Sequence, residues 1–453
     1  MAILDYIVNL NSSVATALIM TIVGLSLRAK ISKALKAGIT IGISFTGLNL
    51  VIGMLVDNLG PAVQSLIKRF KINLTIIDVG WPATATISYA SKVGILIIPL
   101  CLMINIVMLI TETTETLNVD IWNYWHVAFM GALVSKATGS LSYGLIAAGI
   151  NVIILLIIAD LTAVKLQRQN NLPGVSFANG FSGAYVPIAW LVDMLLNKIP
   201  GVKDIEKDPD KLKEKFGFFG EPMFIGTIMG LFIGALAGYE VKNILKLGIK
   251  MGAVLALIPK IAGMLTEGIT PISNAAREFM KDKFNDKKRI FIGIDPTAII
   301  GHPAAISVGL VLVPVTLLIA IFLPGNKVLP FADLAVLPYL LCMVISVTEG
   351  NVFRTLIVGI VSITISLLVA TNLAPLFTTI ANQANFSIPQ NTTMITSIDD
   401  GGNPLIWVIL QLMKYKKAGI TVLSGITSGL VFYNHRRITQ SDPEKDNNKM
   451  NFT

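Results

Sequence analysis

Carboxylates that stand next to glycine or proline inside apolar sequence are the most informative feature of this chain. Asp78 lies in segment 77–82 (IDVGWP), and Asp399 and Asp400 lie in segment 398–404 (IDDGGNP). A charge beside a helix break is costly in hydrocarbon, and irregular backbone persists there only where it lines a cavity. The two breaks therefore predict a ligand site formed from corresponding discontinuous segments of two halves.

Glu349 is a candidate hydrogen-bond acceptor at the end of an apolar run. It follows the run 332–347 and precedes Gly350 and Asn351, and Asn351 is itself a candidate ligand. The alternative is a carboxylate that caps neighbouring amides or pairs with Arg354. The adjacent glycine and amide favour the ligand site.

Asp295 is a second strong candidate, and it precedes Pro296 at the start of an apolar segment. The structural alternative is an N-cap, because proline is favoured at the first helical position. A helix start that faces a cavity also offers free N–H groups to a ligand. Both functions are compatible with one another.

Four further side chains and one weaker candidate complete the set. His126 and His302 fall in or beside apolar segments, where a histidine most often forms an interhelical hydrogen bond. Trp81, in the first break, offers an apolar face or serves as packing. Asn403, in the second break, offers both a donor and an acceptor, and Asn179 is a weaker candidate of the same type.

The elements that must position these residues are membrane helices. The chain has 453 residues, of which 53% are hydrophobic and only 14% charged, against about 25% charged in soluble domains. Long apolar runs predict an all-α polytopic membrane protein with about ten to twelve transmembrane helices plus re-entrant hairpins. The longest runs are 94–110, 143–159, 226–238, 251–265, 309–323 and 356–370. The net charge of +9 is explained by basic cytoplasmic loops and does not indicate nucleic-acid binding.

A polar stretch at about 199–220 divides the predicted membrane region 1–435 into two halves, about 1–198 and 221–435. The tail 436–453 is polar and predicted to be disordered. The sequence has no phosphate-binding loop, zinc-binding helix or dinucleotide fingerprint, so we expect neither cofactor nor metal. Cys101 and Cys342 lie in apolar segments and predict no disulfide.

Four motifs resemble the galactitol-specific membrane component (IIC) of the bacterial sugar phosphotransferase system. They are VGWPATATISYASKVG (79–94), NVDIWNYWH (118–126), GIDPTAIIGHP (293–303) and VTEGN (347–351), and the likeness runs over about residues 1–435. The resemblance implies a homodimeric carrier in the cytoplasmic membrane, with two inverted repeats, a scaffold domain and a mobile core that moves like an elevator. Galactitol or a similar hexitol would then be phosphorylated by a phosphocysteine of the partner IIB, itself charged by IIA. No phosphorylated residue is expected in this chain.

A hexitol needs a site rich in carboxylates, amides and an aromatic face, because its many hydroxyl groups must be paired once they leave water. Glu349 is expected to accept substrate hydroxyls and to orient or deprotonate the one that attacks phosphorus. Asp78, Asp399 and Asp400 are expected to act as a set.

Two other functions compete with this one. The first is an ion-coupled secondary transporter of a small polyol or sugar acid, with Asp399 and Asp400 at a coupling cation. The second is a membrane scaffold or receptor without transport, which leaves the intramembrane carboxylates unexplained.

Overall fold

The computed structural model describes residues 12–26, 28–70, 74–118, 120, 123–170, 172, 174–200, 222–281, 290–300, 302–384, 386 and 394–440. Helices dominate this part of the chain. The first half contains α1 (Ser12–Ser26), α2 (Ile31–Phe70), α3 (Trp81–Tyr89), α4 (Lys92–Ile110), α5 (Tyr124–Thr138), α6 (Leu141–Asn170) and α7 (Val186–Leu196). The second half contains α8 (Pro222–Leu236), α9 (Val241–Lys281), α10 (Pro303–Phe322), α11 (Leu337–Thr348), α12 (Val352–Gln383), α13 (Pro404–Met413) and α14 (Lys417–Gln440).

Three of these helices, α4, α6 and α12, are long and apolar enough to cross a membrane. Each contains one of the predicted apolar runs: 94–110, 143–159 and 356–370 respectively. Several shorter apolar helices, among them α11 and α13, accompany them in the described part of the chain. The helical fold class is thus supported, while the number of ten to twelve spans stays a prediction.

The longest helices, α2 and α9, have 40 and 41 residues and pack against each other. At 1.5 Å per residue each is about 60 Å long, roughly twice the hydrocarbon thickness of a bilayer. The basic clusters 28–36 and 68–71, which flank one apolar segment in the sequence, therefore lie at or beside the two ends of α2. Both clusters can stay outside the hydrocarbon although a single helix joins them.

Glycines allow α8 and α9 to approach closely. A Cβ on Gly226 would lie 2.5 Å from the Met251 carbonyl oxygen, and one on Gly230 would lie 2.8 Å from that of Leu247. Gly226 and Gly230 are one turn apart, so they line one face of α8. Small residues at this spacing bring helix backbones together in membranes, where packing rather than water exclusion drives association.

Two small parallel sheets lie between the helices, an element that the helical prediction did not include. In the first, β1 (Ile76–Asp78) is the central strand between β5 (Val328–Leu329) and β6 (Met394–Thr396). In the second, β4 (Phe291–Gly293) is central between β2 (Thr116–Asn118) and β3 (Val175–Ser176). Each sheet takes its central strand from one half of the chain and its outer strands from the other. The ladders pair backbone groups that would otherwise be unsatisfied in non-helical segments.

The described elements follow a similar order in both halves. Each half has a helix, a helix of 40 or 41 residues, a strand, a short helical segment (the nine-residue α3 or the 3-10 turn Pro296–Ile299) and a helix. A second strand, two α-helices, a third strand and a further helix come next, and α14 has no counterpart among the described elements of the first half. The helices that precede the third strand of each half also agree in length, with 30 residues in α6 and 32 in α12.

The sequence had predicted that the two breaks hold corresponding positions in the two halves. In the structure they do not. Asp78 ends the first strand of its half, whereas Asp399 follows the third strand of the other half. They meet instead because β1 pairs in parallel with β6, with Asp78 opposite Thr396. The Val79 N–H also donates to the Thr396 carbonyl at 2.9 Å.

The last helix extends beyond the predicted end of the membrane region at residue 435. α14 continues to Gln440, and Arg437 forms an ion pair with Glu115 at 2.8 Å. One turn away, the Asn434 side chain donates to buried Asp160 at 2.7 Å. Most of the predicted linker and the rest of the predicted tail, residues 201–221 and 441–453, lie outside the described residues.

Candidate functional site

Two buried carboxylates hold the first sheet and the chain breaks around it. Asp78 accepts from the backbone N–H of Phe331 and of Asp333, both at 2.9 Å, and from that of Gly80 at 3.1 Å. Asp333 in turn accepts from the Trp81 N–H at 2.8 Å. The segment after β1 and the segment after β5 are thus joined by reciprocal hydrogen bonds.

Asp333 also holds the third segment at this sheet edge. It accepts from the Ser397 hydroxyl at 2.6 Å and from the Asp399 N–H at 3.0 Å. Asp78 and Asp333 are fully buried, and backbone groups occupy most of their acceptor positions. This geometry argues against the prediction that Asp78 binds ligand directly, because its oxygens already serve the backbone.

Sequence reasoning missed Asp333 although the signal was present. It is a lone carboxylate in an apolar stretch, the same setting that singled out Asp78 and Asp295. The apolar run 332–347 predicts a single helix, and Asp333 would be the second residue of that helix. The structure instead has a 3-10 turn at Ala332–Val336, before α11 begins at Leu337.

His126 on α5 links the two halves, and its neighbours determine its tautomer. The Asn179 amide oxygen accepts from the backbone N–H of Phe181 at 3.0 Å and of Ser182 at 2.8 Å. The Asn179 amide nitrogen therefore points the other way, towards His126 Nε2 at 3.3 Å. Because an amide nitrogen only donates, Nε2 is the acceptor.

The imidazole proton of His126 consequently sits on Nδ1, where it is donated to Asp400 Oδ1 at 3.0 Å. In this arrangement His126 is neutral, with one donor and one acceptor nitrogen. Gly180 makes room for the ring, since a Cβ at that position would overlap the His126 side chain. The predicted residues His126, Asn179 and Asp400 are thus in mutual contact.

A second set of contacts runs from Asn179 to the other sheet. Its amide nitrogen also donates to the Tyr339 hydroxyl at 2.8 Å, and that hydroxyl donates to Asp295 Oδ2 at 3.2 Å. Asn123 donates to the same Asp295 oxygen at 2.6 Å and contacts Asp120. The polar cluster therefore extends continuously from Asp400 to Asp120.

Asp295 does not cap the following apolar α-helix, as one sequence interpretation had it. The residues after it form a 3-10 turn, Pro296–Ile299, and α10 begins only at Pro303. The N-cap of α10 is His302, whose Nδ1 accepts from the Ala304 N–H at 3.2 Å. The Asp295 side chain is thereby available to the polar cluster.

Asn403 uses both its hydrogen-bond acceptor and its hydrogen-bond donor within the protein. Its side-chain oxygen caps α13 by accepting from the N–H groups of Leu405 and Ile406. Its amide nitrogen donates to the Gly180 carbonyl at 2.9 Å and to Asp400 Oδ1 at 3.3 Å. The second chain break is therefore tied to the Asn179 segment through one side chain.

The cluster has a buried end and an accessible end. His126, Asn179, Asp400 and Asn403 are at most 1% exposed, and Asp399 is 3% exposed. Partly exposed residues form the other end: Asp120, Asp295, Tyr339 and Trp81. Trp81 stacks on Trp125 with ring centroids 6.3 Å apart, and Trp125 lies against the His126 ring at 3.7 Å, so Trp81 reaches the cluster through these two rings. A ligand from solution would meet carboxylates, a phenol and an indole face here.

Glu349 lies elsewhere, on the surface. Its side chain is 73% exposed and pairs with Lys165 of α6 at 3.2 Å. Arg354, the alternative partner from the sequence, pairs with Asp193 at 2.7 Å instead. Glu349 ends α11 in the left-handed region at φ 54°, an uncommon conformation for a residue other than glycine.

The other two predicted ligands near this turn are helix caps. Asn351 is the N-cap of α12 and accepts from the Arg354 N–H at 3.0 Å. His302 lies close to the same turn, because a Cβ on Gly350 would be 3.2 Å from its Cε1. Glu349, Asn351 and His302 thus form a group of their own, apart from the contacts of the Asp295–His126–Asp400 cluster.

One group of side chains in the cluster is compact enough to be compared with a metal site. Atoms of His126, Asp399 and Asp400 lie within 4.8 Å of one another. However, His126 carries its proton on Nδ1, the nitrogen that faces the carboxylates, so it has no lone pair to offer there.

The apolar helices and the buried polar cluster between them are those of a helical integral membrane protein. The chain belongs to the family of PTS system sugar-specific permease components, which it matches over residues 6–391. It is 38% identical over 436 residues to the PTS system galactitol-specific EIIC component of Escherichia coli (strain K12), with 96% of each chain covered. It is also 38% identical over 433 residues to a putative permease IIC component of the same strain, covering 96% of this chain and 99% of the relative. The resemblance noted in the sequence is confirmed.

Proposed function

We propose that this protein is the membrane carrier of a sugar phosphotransferase system and that its substrate is galactitol or a similar hexitol. The family membership and the 38% identity to a galactitol-specific component support this substrate. The observation that carries the proposal is the accessible end of the polar cluster. Its carboxylates, phenol and indole face are the groups that a neutral polyol needs.

In the proposed complex, Asp295 and Asp120 accept hydrogen bonds from substrate hydroxyls, and the Tyr339 hydroxyl exchanges its present partner for the substrate. Trp81 covers the C–H face of the hexitol. His126 and Asn179 hold these groups from behind. Such a site rejects a stereoisomer with one displaced hydroxyl, because a buried protein group is then left unpaired.

Transport is proposed to follow an elevator mechanism in a homodimer within the bacterial cytoplasmic membrane. The shared order of elements and the exchange of outer strands between the two sheets support a pair of inverted repeats. The helices α1, α2, α8 and α9 pack mainly with one another and are suited to be the scaffold. The remaining elements, with both sheets, would be the mobile core. The substrate is then phosphorylated at the cytoplasmic face by a phosphocysteine of IIB, which IIA recharges.

A hexitol panel tests this function directly. Purified protein is expected to bind galactitol and to discriminate by about tenfold or more against epimers, since one unpaired buried group costs about 1–3 kcal/mol. Calorimetry over the panel measures this discrimination. Binding of none of the hexitols would contradict the proposed substrate class.

The energy source separates this function from ion-coupled transport. Vesicles that contain the carrier are expected to accumulate phosphorylated hexitol only when phosphoenolpyruvate, the general PTS proteins, IIA and IIB are supplied. Uptake of unmodified polyol driven by an ion gradient without these partners would favour the alternative.

Glu349→Gln is expected to abolish phosphorylation-coupled uptake while dimer assembly stays intact. Exposed ion pairs contribute about 0–1 kcal/mol, so loss of the pair with Lys165 will hardly change stability. A loss of uptake in this variant would therefore come from a lost function of the Glu349 carboxylate and not from unfolding. Lys165→Met, which removes the same ion pair from the other side, is the matched control. Normal uptake kinetics in Glu349→Gln would remove Glu349 from the mechanism.

A further inference from the structure

Within the described part of the chain, the buried end of the polar cluster contains two carboxylate oxygens that lack a hydrogen-bond partner. They are Asp399 Oδ1 and Asp400 Oδ2, both inaccessible to solvent. An unpaired buried carboxylate oxygen is expensive, and native proteins satisfy nearly all of them. The pair therefore points to a ligand that is not part of the polypeptide.

The negative charge at this point is not balanced by a base. Among the described residues, the only ion-pairing partner of either carboxylate is His126, at 3.7 Å from Asp399 Oδ1 and 3.0 Å from Asp400 Oδ1. The Asn179 amide keeps His126 neutral, as argued above. Two ionised carboxylates would thus stand side by side in an apolar interior without a cation, which like-charge repulsion disfavours.

The two carboxyl groups differ in their hydrogen-bond donors. Asp400 Oδ1 accepts from His126 and from Asn403, at 3.0 and 3.3 Å. Among the described residues, Asp399 Oδ1 has no such donor, and the Asp399 backbone N–H donates to Asp333. Carboxylate oxygens of Asp399 and Asp400 lie within 4.8 Å of each other, although two ionised carboxylates have no hydrogen to share.

We propose that Asp399 and Asp400 form a proton-binding site, with one proton carried by Asp399 and donated to Asp400. One proton satisfies both unpaired oxygens and halves the charge of the pair. Burial, and then the charge of Asp400, raise the pKa of Asp399 well above its ordinary value. This carboxyl lies between β6 and α13, outside the spanning helices.

Other ionisable groups surround the Asp399–Asp400 pair from every packed element. The neighbours are Asp78 of β1, His126 of α5, Tyr185 before α7, Asp333 before α11 and Tyr339 of α11. The acids among them add negative charge and favour retention of the proton. The tyrosines and the neutral histidine contribute no positive charge.

The proton is expected to influence the hexitol site through His126. Deprotonation of Asp399 places a second charge beside Asp400 and so disturbs the His126 ring, which bonds both Asp400 and Asn179. Asn179 is bonded in turn to Tyr339 at 2.8 Å. Substrate affinity is thereby linked to occupancy of the proton site. This link rests on the proposed function, whereas the proton site itself does not.

Infrared spectroscopy and thermal unfolding of the purified carrier test the site without any substrate. The spectrum at neutral pH is expected to contain the carbonyl band of a protonated carboxyl group. Subtracting the spectrum of Asp399→Asn should isolate the band of Asp399 from those of other buried acids. The unfolding midpoint of the natural protein should fall as pH rises through the raised pKa, because the folded state binds the proton more tightly than the unfolded chain. Asn resembles a permanently protonated Asp, so the midpoint of Asp399→Asn should fall less over that range.

Galactitol binding provides the second readout. If the protonated form binds, affinity should weaken about tenfold for each pH unit above the pKa of the pair, and Asp399→Asn should bind at all these pH values. Asp57→Asn, at an exposed carboxylate of α2, should behave like the natural protein.

Absence of the protonated band, or a midpoint independent of pH in the natural protein, would overturn the proton site. A midpoint that rises only on addition of Na⁺, Mg²⁺ or Ca²⁺ would overturn it in favour of a metal cation. Failure of galactitol to bind at any pH, with the infrared band present, would instead count against the proposed function alone.

Discussion

Asp295→Ala is expected to lower the affinity for galactitol by about 100-fold, since hydrogen bonds to a charged group are worth about 1.5–3 kcal/mol. Asp295 is the point at which Asn123 and Tyr339 converge, at 2.6 and 3.2 Å. Its removal takes away a substrate acceptor and the acceptor of the Tyr339 hydroxyl, and it leaves the Asn123 amide with Asp120 alone. Both side chains can then turn away from the ligand.

Isothermal calorimetry on the purified carrier measures the effect. Asp295→Asn is the matched variant, because it keeps the size and one acceptor oxygen and should lose less affinity than alanine. The exposed Asp57→Asn should bind normally. An Asp295→Ala protein that binds galactitol with unchanged affinity would remove this residue from the substrate site.

Asp333→Ala is expected to have the largest effect on folding. The substitution removes the acceptor of the Trp81 N–H and of the Ser397 hydroxyl, and it leaves the Asp399 N–H with only the Ser397 hydroxyl oxygen at 3.1 Å. At about 1–3 kcal/mol for each hydrogen bond lost in a buried setting, the cost approaches the lower end of the stability of a typical protein, about 5–15 kcal/mol. We therefore expect aggregation or loss of the folded carrier rather than a kinetic defect.

Size-exclusion chromatography in detergent and the thermal unfolding midpoint report this outcome. Asp333→Asn retains one acceptor oxygen and should be intermediate between the natural protein and the alanine variant. The same substitution at exposed Asp57 should leave the midpoint unchanged. An Asp333→Ala carrier with a normal midpoint would show that the hydrogen bonds accepted by Asp333 contribute little to stability.

Apolar run length was a good predictor of helices, because a span must satisfy its backbone internally. The runs 94–110, 143–159 and 356–370 fall inside α4, α6 and α12. The two sheets could not be predicted in the same way. Their strands have only two or three residues, too short for an alternating pattern, and their partners are up to about 320 residues away in the chain.

Several members of the polar cluster could be singled out from the sequence, because a charge beside a helix break is costly in hydrocarbon. Carboxylates beside helix breaks identified Asp295, Asp399 and Asp400, and a lone histidine identified His126. What the sequence could not supply was the pairing between them, which depends on the contact of β1 with β6 and of Asn179 with Tyr339. Glu349 has the same local setting, and the fold places it on the surface beside Lys165, so its expected contact with the substrate stays a prediction.

The exchange of strands between the two sheets has a consequence for biosynthesis. β1 pairs with β5 and β6, and its first residue Ile76 lies opposite Val328 and Met394. At roughly 5–20 residues per second, the ribosome needs on the order of 15–60 s to make the last of these partners after β1 has emerged. During that interval the backbone of β1 has no native ladder. The first half therefore cannot mature alone, and membrane-inserted chains truncated before β6 should be substrates for quality-control proteases.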